Sequence, residues 1–186
     1  MIAGLLFYVS QALNYTYWVE PCTRPESTGC QAGDRELAQW AFEAWQQVSS
    51  GRLTMVTASD PQKARIRLYW ADGQQGMYGE ARFVEGPGGR TAAEVYVRPA
   101  PLQPSDPLLR DAIVYLTCVH EIGHALGLPH TSNFKDIMYS FQFGGDIPEY
   151  FGRYRRKLKA RRDIRDTSAF STADRDHLRE AVVTQR

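Results

Sequence analysis

Three of the chain's four histidines lie within eleven residues, at a spacing that suits one metal ion. His120 and His124 are four residues apart, so on a helix their rings leave the same face one turn apart and can share an ion. Glu121 is adjacent and can reach a metal-bound water. His130 lies six residues beyond His124, and six residues of helix would turn it by about 600°, away from the other two. These residues therefore predict a zinc site, provided that the helix ends before His130.

The residues between the second and third histidines supply that helix end. Gly127 is the residue type that can take the left-handed conformation with which many helices end. Pro129 prevents the helix from resuming, since proline has no amide hydrogen and its ring clashes with the preceding turn. The chain can then bring His130 back to the ion. The prediction is three histidine ligands with a fourth position open to water, which is typical of a catalytic zinc site and not of a structural one.

The same segment resembles the signature of the metzincin zinc endopeptidases, in which a glycine follows the second helical histidine by three residues and a third histidine follows three further on. Met138 stands eight residues after His130, a separation similar to that of the methionine turn in the matrixin branch. The resemblance extends more weakly from Leu13 to about Val183. It implies a metzincin-like zincin domain of the α+β class, with a twisted mixed sheet, a long active-site helix, a second long helix and a C-terminal helix.

The resemblance also implies roles for individual residues. Glu121 would be the general base and then the proton donor to the leaving amine, and Met138 would form a hydrophobic base beneath the three histidines. A sheet edge beside the zinc would bind an extended peptide through backbone hydrogen bonds. The substrate cleft implied in this way contains Met77, Tyr78, Gly79, Glu80, Ala81, Tyr139, Ser140 and Phe141.

Some positions depart from the matrixin pattern. Matrixins usually have a proline and then a tyrosine after the methionine turn, where this chain has Ser140 and Gln142. The resemblance therefore implies no particular pocket preference. His177 is the one remaining histidine and falls in the last predicted helix, so we expect one catalytic zinc and no second zinc site. The sequence leaves calcium dependence undecided.

The elements that must position these residues can be predicted from hydrophobic periodicity. A helix is predicted from Asp34, as its cap, to about Ser49, and the active-site helix from Asp106 to about Leu126. A final helix is predicted over about 173–183, capped by the segment 171–174. Alternating apolar residues predict strands at 13–19, 53–57, 64–70, 77–83 and 92–97, of which the last two form a hairpin around the turn 85–89.

The amino terminus and the cysteines bear on location. Residues 2–9 are apolar and precede Ser10-Gln11-Ala12, which has the form of a signal-peptidase site, although no basic residues come before it. We interpret residues 1–12 as either a truncated signal peptide or an N-terminal extension packed on the domain, and residues 13–186 as a single catalytic domain. Cys22 and Cys30 could close a disulfide loop, which leaves Cys118 as a free buried thiol. These features favour a secreted or extracytoplasmic protein.

Composition and charge give few further indications. With 186 residues, 43% of them hydrophobic, the chain can bury a sizeable core, and its net charge of +1 gives no general reason to expect nucleic acid or a membrane. No stretch approaches the roughly 18 apolar residues of a transmembrane helix. We expect a monomer that acts on a protein or peptide substrate.

A basic insert, at about 144–171, is longer than the family resemblance requires. It contains a run of lysines and arginines at 153–162, with Tyr154, Leu158 and Ile164 at helical spacing. Two interpretations remain open for this segment. Residues 153–165 could bind an anionic surface or polymer, or they could form a helix with a solvated basic face.

The sequence favours a zinc-dependent endopeptidase that hydrolyses peptide bonds in proteins. One alternative is a module that binds an anionic polymer and keeps a vestigial zinc site. Glu121 argues against it, because a retired site does not need a general base. The other alternative is a zinc exopeptidase or amidase that acts on small substrates. That alternative stays open, because it differs from an endopeptidase in the cleft and not in the metal site.

Overall fold

A mixed sheet forms the centre of the computed structural model, which describes residues 12–72, 78–101 and 105–184. Within these residues the sheet order is β2-β1-β3-β5-β4, and β4 pairs antiparallel with β5 at one edge while the other neighbours are parallel. The strands are β1 Leu13–Val19, β2 Leu53–Thr57, β3 Ile66–Trp70, β4 Gly79–Glu85 and β5 Thr91–Val97. The predicted α+β class, mixed sheet and hairpin are confirmed.

Two long helices cover one face of this sheet. The helices are α1 Pro25–Thr28, α2 Asp34–Val48, α3 Pro107–Ala125, α4 Ile147–Arg155, α5 Asp163–Asp166 and α6 Thr172–Thr184. The long helices α2 and α3 pack against each other and against the sheet. The indole of Trp45 on α2 is fully buried and donates a hydrogen bond of 2.9 Å to the carbonyl of Val119 on α3. This bond fixes the active-site helix relative to α2.

The sheet face toward the helices follows from alternation along each strand. In β1 the side chains of Tyr15, Tyr17 and Val19 are buried, whereas the residues between them are partly exposed. The ring of Tyr17 stacks on Phe42 of α2 with ring centroids 4.0 Å apart. Burial of these apolar faces is the main stabilising contribution that the sheet and the helices make to each other.

The start of α2 differs from the prediction that Asp34 caps it. The helix begins at Asp34 itself, and the carboxylate forms a buried bidentate ion pair with Arg110 of α3, with an Nη2–Oδ2 distance of 2.7 Å. A guanidinium buried in α3 requires a compensating charge, because an unpaired buried cation is costly. Asp34 therefore connects two helices instead of capping one.

The basic segment does not form a single helix, which was one of the two interpretations left open for it. Helix α4 ends at Arg155, and α5 begins at Asp163. Between them the Asp163 carboxylate accepts hydrogen bonds from the amides of Lys159 and Ala160, at 2.7 and 2.8 Å. Such side-chain-to-backbone bonds compete with helical ones and stabilise a turn.

Cys22 and Cys30 form a disulfide, and Cys118 is a free, buried thiol whose pKa is raised by burial. The predicted apolar run 2–9 and the predicted cleft residue Met77 lie outside the described residues. None of the helices in the described part of the chain is both long and apolar enough to span a membrane.

Candidate active site

Helix α3 carries three of the predicted site residues and ends where the sequence requires. Asp106 caps the helix by accepting a hydrogen bond from the amide of Leu109 at 3.0 Å. At the other end Gly127 has a φ of 89°, and the amide of Leu128 donates to the carbonyl of Gly123 at 3.0 Å. This left-handed termination turns the chain out of the helix axis and returns His130 toward His124.

The three histidine side chains converge on one point. The Nε2 atom of His130 lies 3.2 Å from Nε2 of His120 and 3.0 Å from Nε2 of His124. Nδ1 of His120 lies 2.7 Å from the carbonyl of Ile137, and Nδ1 of His124 lies 2.8 Å from that of Leu128. A carbonyl can only accept, so each Nδ1 carries the proton and each Nε2 directs a lone pair at the shared point.

The surroundings of these three rings favour neutral imidazole, which can bind a metal ion, over the protonated form. Burial lowers the pKa of His120 to about 3, and it also lowers the pKa values of His124 and His130. Neutral imidazoles are the form that binds zinc, and tetrahedral Zn–N bonds of about 2.0–2.1 Å place ligand nitrogens roughly 3.3 Å apart. The observed separations fit that value. The chain therefore positions three histidines to bind one metal ion.

Glu121 lies beside the histidines in a space that depends on a glycine. Its side chain is buried, and burial raises the pKa of Glu121 to about 8, with a smaller contribution from the nearby carboxylate of Glu80. A Cβ on Gly79 of strand β4 would lie 2.5 Å from Cγ of Glu121 and 2.8 Å from its Oε1. The absence of that methyl group allows the carboxylate to pack against the strand edge.

Met138 lies beneath the metal site. Its side chain is fully buried, and a Cβ on Gly123 would lie only 2.4 Å from its sulfur, so the thioether packs directly on helix α3. The amide of Thr131 donates to the carbonyl of Met138 at 2.8 Å, which joins the chain after His130 to this turn. The segment from His130 to Met138 is thereby held against the helix.

Two residues that sequence reasoning missed stabilise the methionine turn. The buried Asp174 at the start of α6 accepts hydrogen bonds from the amide of Ile137 at 3.1 and 3.0 Å. The hydroxyl of Tyr150 on α4 donates to the carbonyl of Ile137 at 3.1 Å, and that carbonyl also accepts from His120. The spacing of Ser171 and Asp174 indicated a helix cap, which is present, but not the second use of the Asp174 carboxylate.

A cavity of about 780 Å³ contains the histidines and Glu121. The sequence-predicted residues that line it are Tyr78, Gly79, Glu80, Ala81, Tyr139, Ser140 and Phe141. Among the described strands β4 is an edge strand, so one side of its backbone has no neighbouring strand. The cavity therefore combines a metal site, a carboxylate and a strand edge.

Helix α4 adds a wall to this cavity that sequence reasoning did not predict. Ile147, Tyr150 and Phe151 of this helix are among its lining residues. The ring of Tyr78 lies 5.3 Å from Phe151 and 6.3 Å from Phe141, between centroids. The segment was interpreted only as a basic insert, because its arginines and lysines obscured the apolar residues that face the cleft.

Comparison with known proteins places these features in a family. The profile of the matrixin peptidase family matches residues 9–145. Macrophage metalloelastase from Rattus norvegicus is 32% identical over 113 residues, which cover 55% of this chain and 23% of that protein. Macrophage metalloelastase from Oryctolagus cuniculus is 29% identical over 108 residues, covering 54% and 22%. The matched region thus spans about a quarter of the length of these curated relatives.

Among solved structures, archaemetzincin from Methanopyrus kandleri is similar with a TM-score of 0.48 and 13% sequence identity. That match covers 98% of this chain and 100% of the other.

Proposed function

The chain belongs to the matrixin family of metzincin zinc metallopeptidases, and we propose that it is an endopeptidase that cleaves peptide bonds within proteins. The observation that carries the proposal is the placement of three convergent histidines and Glu121 beside an unpaired strand edge. We further propose that residues 13–186 act as one catalytic domain.

In this proposal His120, His124 and His130 hold the zinc, and Glu121 performs the proton transfers. When bound, zinc supplies a Lewis acid and lowers the pKa of a water to near neutrality. Glu121 accepts a proton from the attacking water and donates it to the amine that leaves.

The unpaired edge of β4 positions the substrate. An extended peptide laid along Gly79, Glu80 and Ala81 gains backbone hydrogen bonds that do not depend on its sequence. Alternate side chains then enter the cavity, whose lining includes Tyr150 and Phe151. This arrangement favours substrates with an apolar or aromatic side chain next to the bond that is cleaved.

The charges around the cavity favour an endopeptidase over an exopeptidase. An exopeptidase must bind a charged chain end close to the zinc. Among the described lining residues there is no lysine or arginine to bind a terminal carboxylate. Besides Glu121, Glu80 is the one carboxylate among the described lining residues that could bind a terminal amine. It already forms a bidentate ion pair with Arg82, at 2.8 and 2.7 Å. The curated relatives are also named metalloelastases, and an elastase acts on a protein.

Peptides blocked at both ends test this proposal. We expect the zinc-loaded protein to cut a library of peptides that are acetylated at the amino end and amidated at the carboxyl end, with cut sites identified by mass spectrometry. An exopeptidase requires a free end and would leave these peptides intact while cutting unblocked ones. A chelator should abolish cleavage, and added zinc should restore it.

Glu121→Ala separates metal binding from chemistry. We expect it to retain zinc and the fold and to slow hydrolysis by about 10²–10⁴-fold, the contribution usual for a positioned general base. His130→Ala should instead lower zinc affinity and activity together. Glu26→Ala, at an exposed position of α1, is the matched control and should behave as wild type. Near-normal turnover by Glu121→Ala would contradict the mechanism.

The structure gives less support to a module that binds an anionic polymer through residues 153–165. Arg155, Arg156 and Arg165 each form an ion pair with a carboxylate of this chain, to Asp106, Glu149 and Glu43 respectively. Each pair reduces the charge available to an external polymer. A binding assay decides this alternative, since affinity for heparin or a nucleic acid would fall steeply with added salt.

We also propose that the protein works in an oxidising, extracytoplasmic compartment. The disulfide between Cys22 and Cys30 supports this, because such bonds persist outside the cytosol. Mass analysis of the natural protein before and after reduction tests it, through the two mass units gained when one disulfide opens.

A further inference from the structure

A second cavity, of about 290 Å³, lies next to the active-site cleft. The two cavities share Leu116 and Tyr150, which line both. The second cavity is bounded on one side by Ile137 of the methionine turn and on another by the segment 168–171, between α5 and α6. Nothing in the proposed peptidase mechanism uses this space.

Three cationic side chains line the second cavity. Lys135, Arg153 and Lys157 come from two separate segments of the chain. Unlike Arg155, Arg156 and Arg165 of the same region, none of the three forms an ion pair within the described part of the chain. Some cationic side chains of this region are therefore neutralised by carboxylates of the same chain, whereas these three lie around one cavity.

The guanidinium of Arg153 is held in place by a backbone carbonyl and an aromatic ring. Its Nη1 donates a hydrogen bond to the carbonyl of Phe134, and its Cζ lies 4.4 Å from the ring centroid of Tyr150. Its Cζ also lies 5.1 Å from the ring centroid of Phe134. A cation fixed in this way loses little conformational freedom when it binds an anion.

The acidic groups near this cavity are already engaged. Asp136 accepts a hydrogen bond of 2.8 Å from the hydroxyl of Ser171. Asp174 accepts from the amides of Ile137 and Ser171. Both carboxylates are almost fully buried. They bind their own donors and do not form ion pairs with the three cations.

Apolar side chains complete the lining. Leu116 and Ile137 are buried core residues, and Phe170 packs edge-on against Trp45 with centroids 4.6 Å apart. The cavity volume is just below the range that is usual for small-molecule sites, about 300–1,000 Å³, so it suits a small ligand. A ligand that fills this space must present an anionic group to the cations and a short apolar part to the core.

We propose that this cavity binds a small organic anion, a carboxylate or a phosphate on a short apolar chain. The anionic group contacts Arg153, Lys135 and Lys157, and the apolar part contacts Leu116 and Phe170. This site is separate from the zinc centre and does not depend on the proposed endopeptidase function.

Calorimetric titration of the zinc-loaded full chain tests the site. The probes are hexanoate, hexyl phosphate and the neutral 1-hexanol, which share one apolar chain and differ in charge. The test variant is Lys135→Gln with Lys157→Gln. The matched control is Lys63→Gln with Lys159→Gln, which removes the same charge at exposed positions outside the cavity. Each titration is repeated with acetohydroxamate, which occupies the zinc site.

We expect wild type and the control variant to bind at least one anionic probe with equal affinity, and the test variant to bind it at least about ten-fold more weakly. 1-Hexanol should bind more weakly than the anions. Preference for hexanoate identifies a carboxylate ligand, and preference for hexyl phosphate identifies a phosphate. Equal binding by all three proteins, loss of binding with acetohydroxamate, or no binding of either anion overturns the proposal.

Discussion

At the scale of single residues, the site depends on a position without a side chain as well as on the side chains that are present. The space for the Glu121 carboxylate exists because residue 79 has no side chain. Gly79 has an ordinary backbone conformation, so its role is close approach and not a special turn. The strand that we propose binds substrate thus also limits the position of the proposed general base.

Gly79→Ala should impair catalysis without unfolding the protein. The added methyl group would lie 2.5 Å from Cγ of Glu121, and the end of that flexible side chain can rotate away. We expect kcat/KM to fall by roughly 10²-fold, since a displacement of about 1 Å at a catalytic group has that effect. Zinc content should stay at one equivalent, and the thermal midpoint should change by no more than a few degrees.

Gly152→Ala, in helix α4, is the control for this change. Its Cβ would meet only the end of the Arg156 side chain, at 3.3 Å. This variant should keep wild-type activity, and alanine should stabilise the helix by about 0.5–1 kcal/mol. If Gly79→Ala is as active as the control, Glu121 does not act from the position described.

At the scale of elements, the methionine turn is held by three segments that are distant in the sequence. Helix α6 provides Asp174 to its amides, helix α4 provides Tyr150 to its carbonyl, and His120 shares that carbonyl. The C-terminal helix therefore contributes to the orientation of a metal ligand that it does not contact. Such outer partners fix the tautomer and angle of ligating histidines.

Asp174→Asn tests this connection. An amide presents an N–H group to donors that require an acceptor, so we expect a loss of about 2–4 kcal/mol of unfolding free energy. Zinc affinity should also fall, measured by competition with a chelating dye well below the unfolding midpoint. Asp176→Asn, on the exposed side of the same helix, should change neither quantity. A destabilised Asp174→Asn with unchanged zinc affinity would mean that α6 stabilises the fold alone.

The parts of this site that could be predicted are local in the sequence. The positions of His120, His124 and His130 follow from helix geometry and one helix end, all within eleven residues. Asp174 could not be predicted, because it acts 37 residues away and on backbone groups, which every residue type has. The interpretation of the basic segment as one helix, one of the two left open, is wrong because the Asp163 carboxylate bonds to backbone amides that the apolar spacing does not reveal.

At the scale of the whole molecule, long-range bonds tie the active-site helix to the rest of the fold. The buried Arg110 of α3 contacts Asp34 at the start of α2 and the carbonyl of Gly29 in the disulfide loop. At the other end of α3 the histidines meet His130, which belongs to a separate segment. The proposed zinc would therefore join helix α3 to the segment that follows it.

Metal binding should consequently stabilise the native state. An ion that binds three histidines only in the folded arrangement contributes about 4 kcal/mol when free zinc is about 1,000-fold above its dissociation constant. For a domain of this size that corresponds to a rise of roughly 8–16 °C in the thermal midpoint, measured by calorimetry before and after chelation. His130→Ala should lose most of the rise, whereas His177→Ala should keep it, because His177 lies in α6 outside the histidine cluster. If His130→Ala responds to zinc as wild type does, the stabilising ion binds elsewhere and the three-histidine site is wrong.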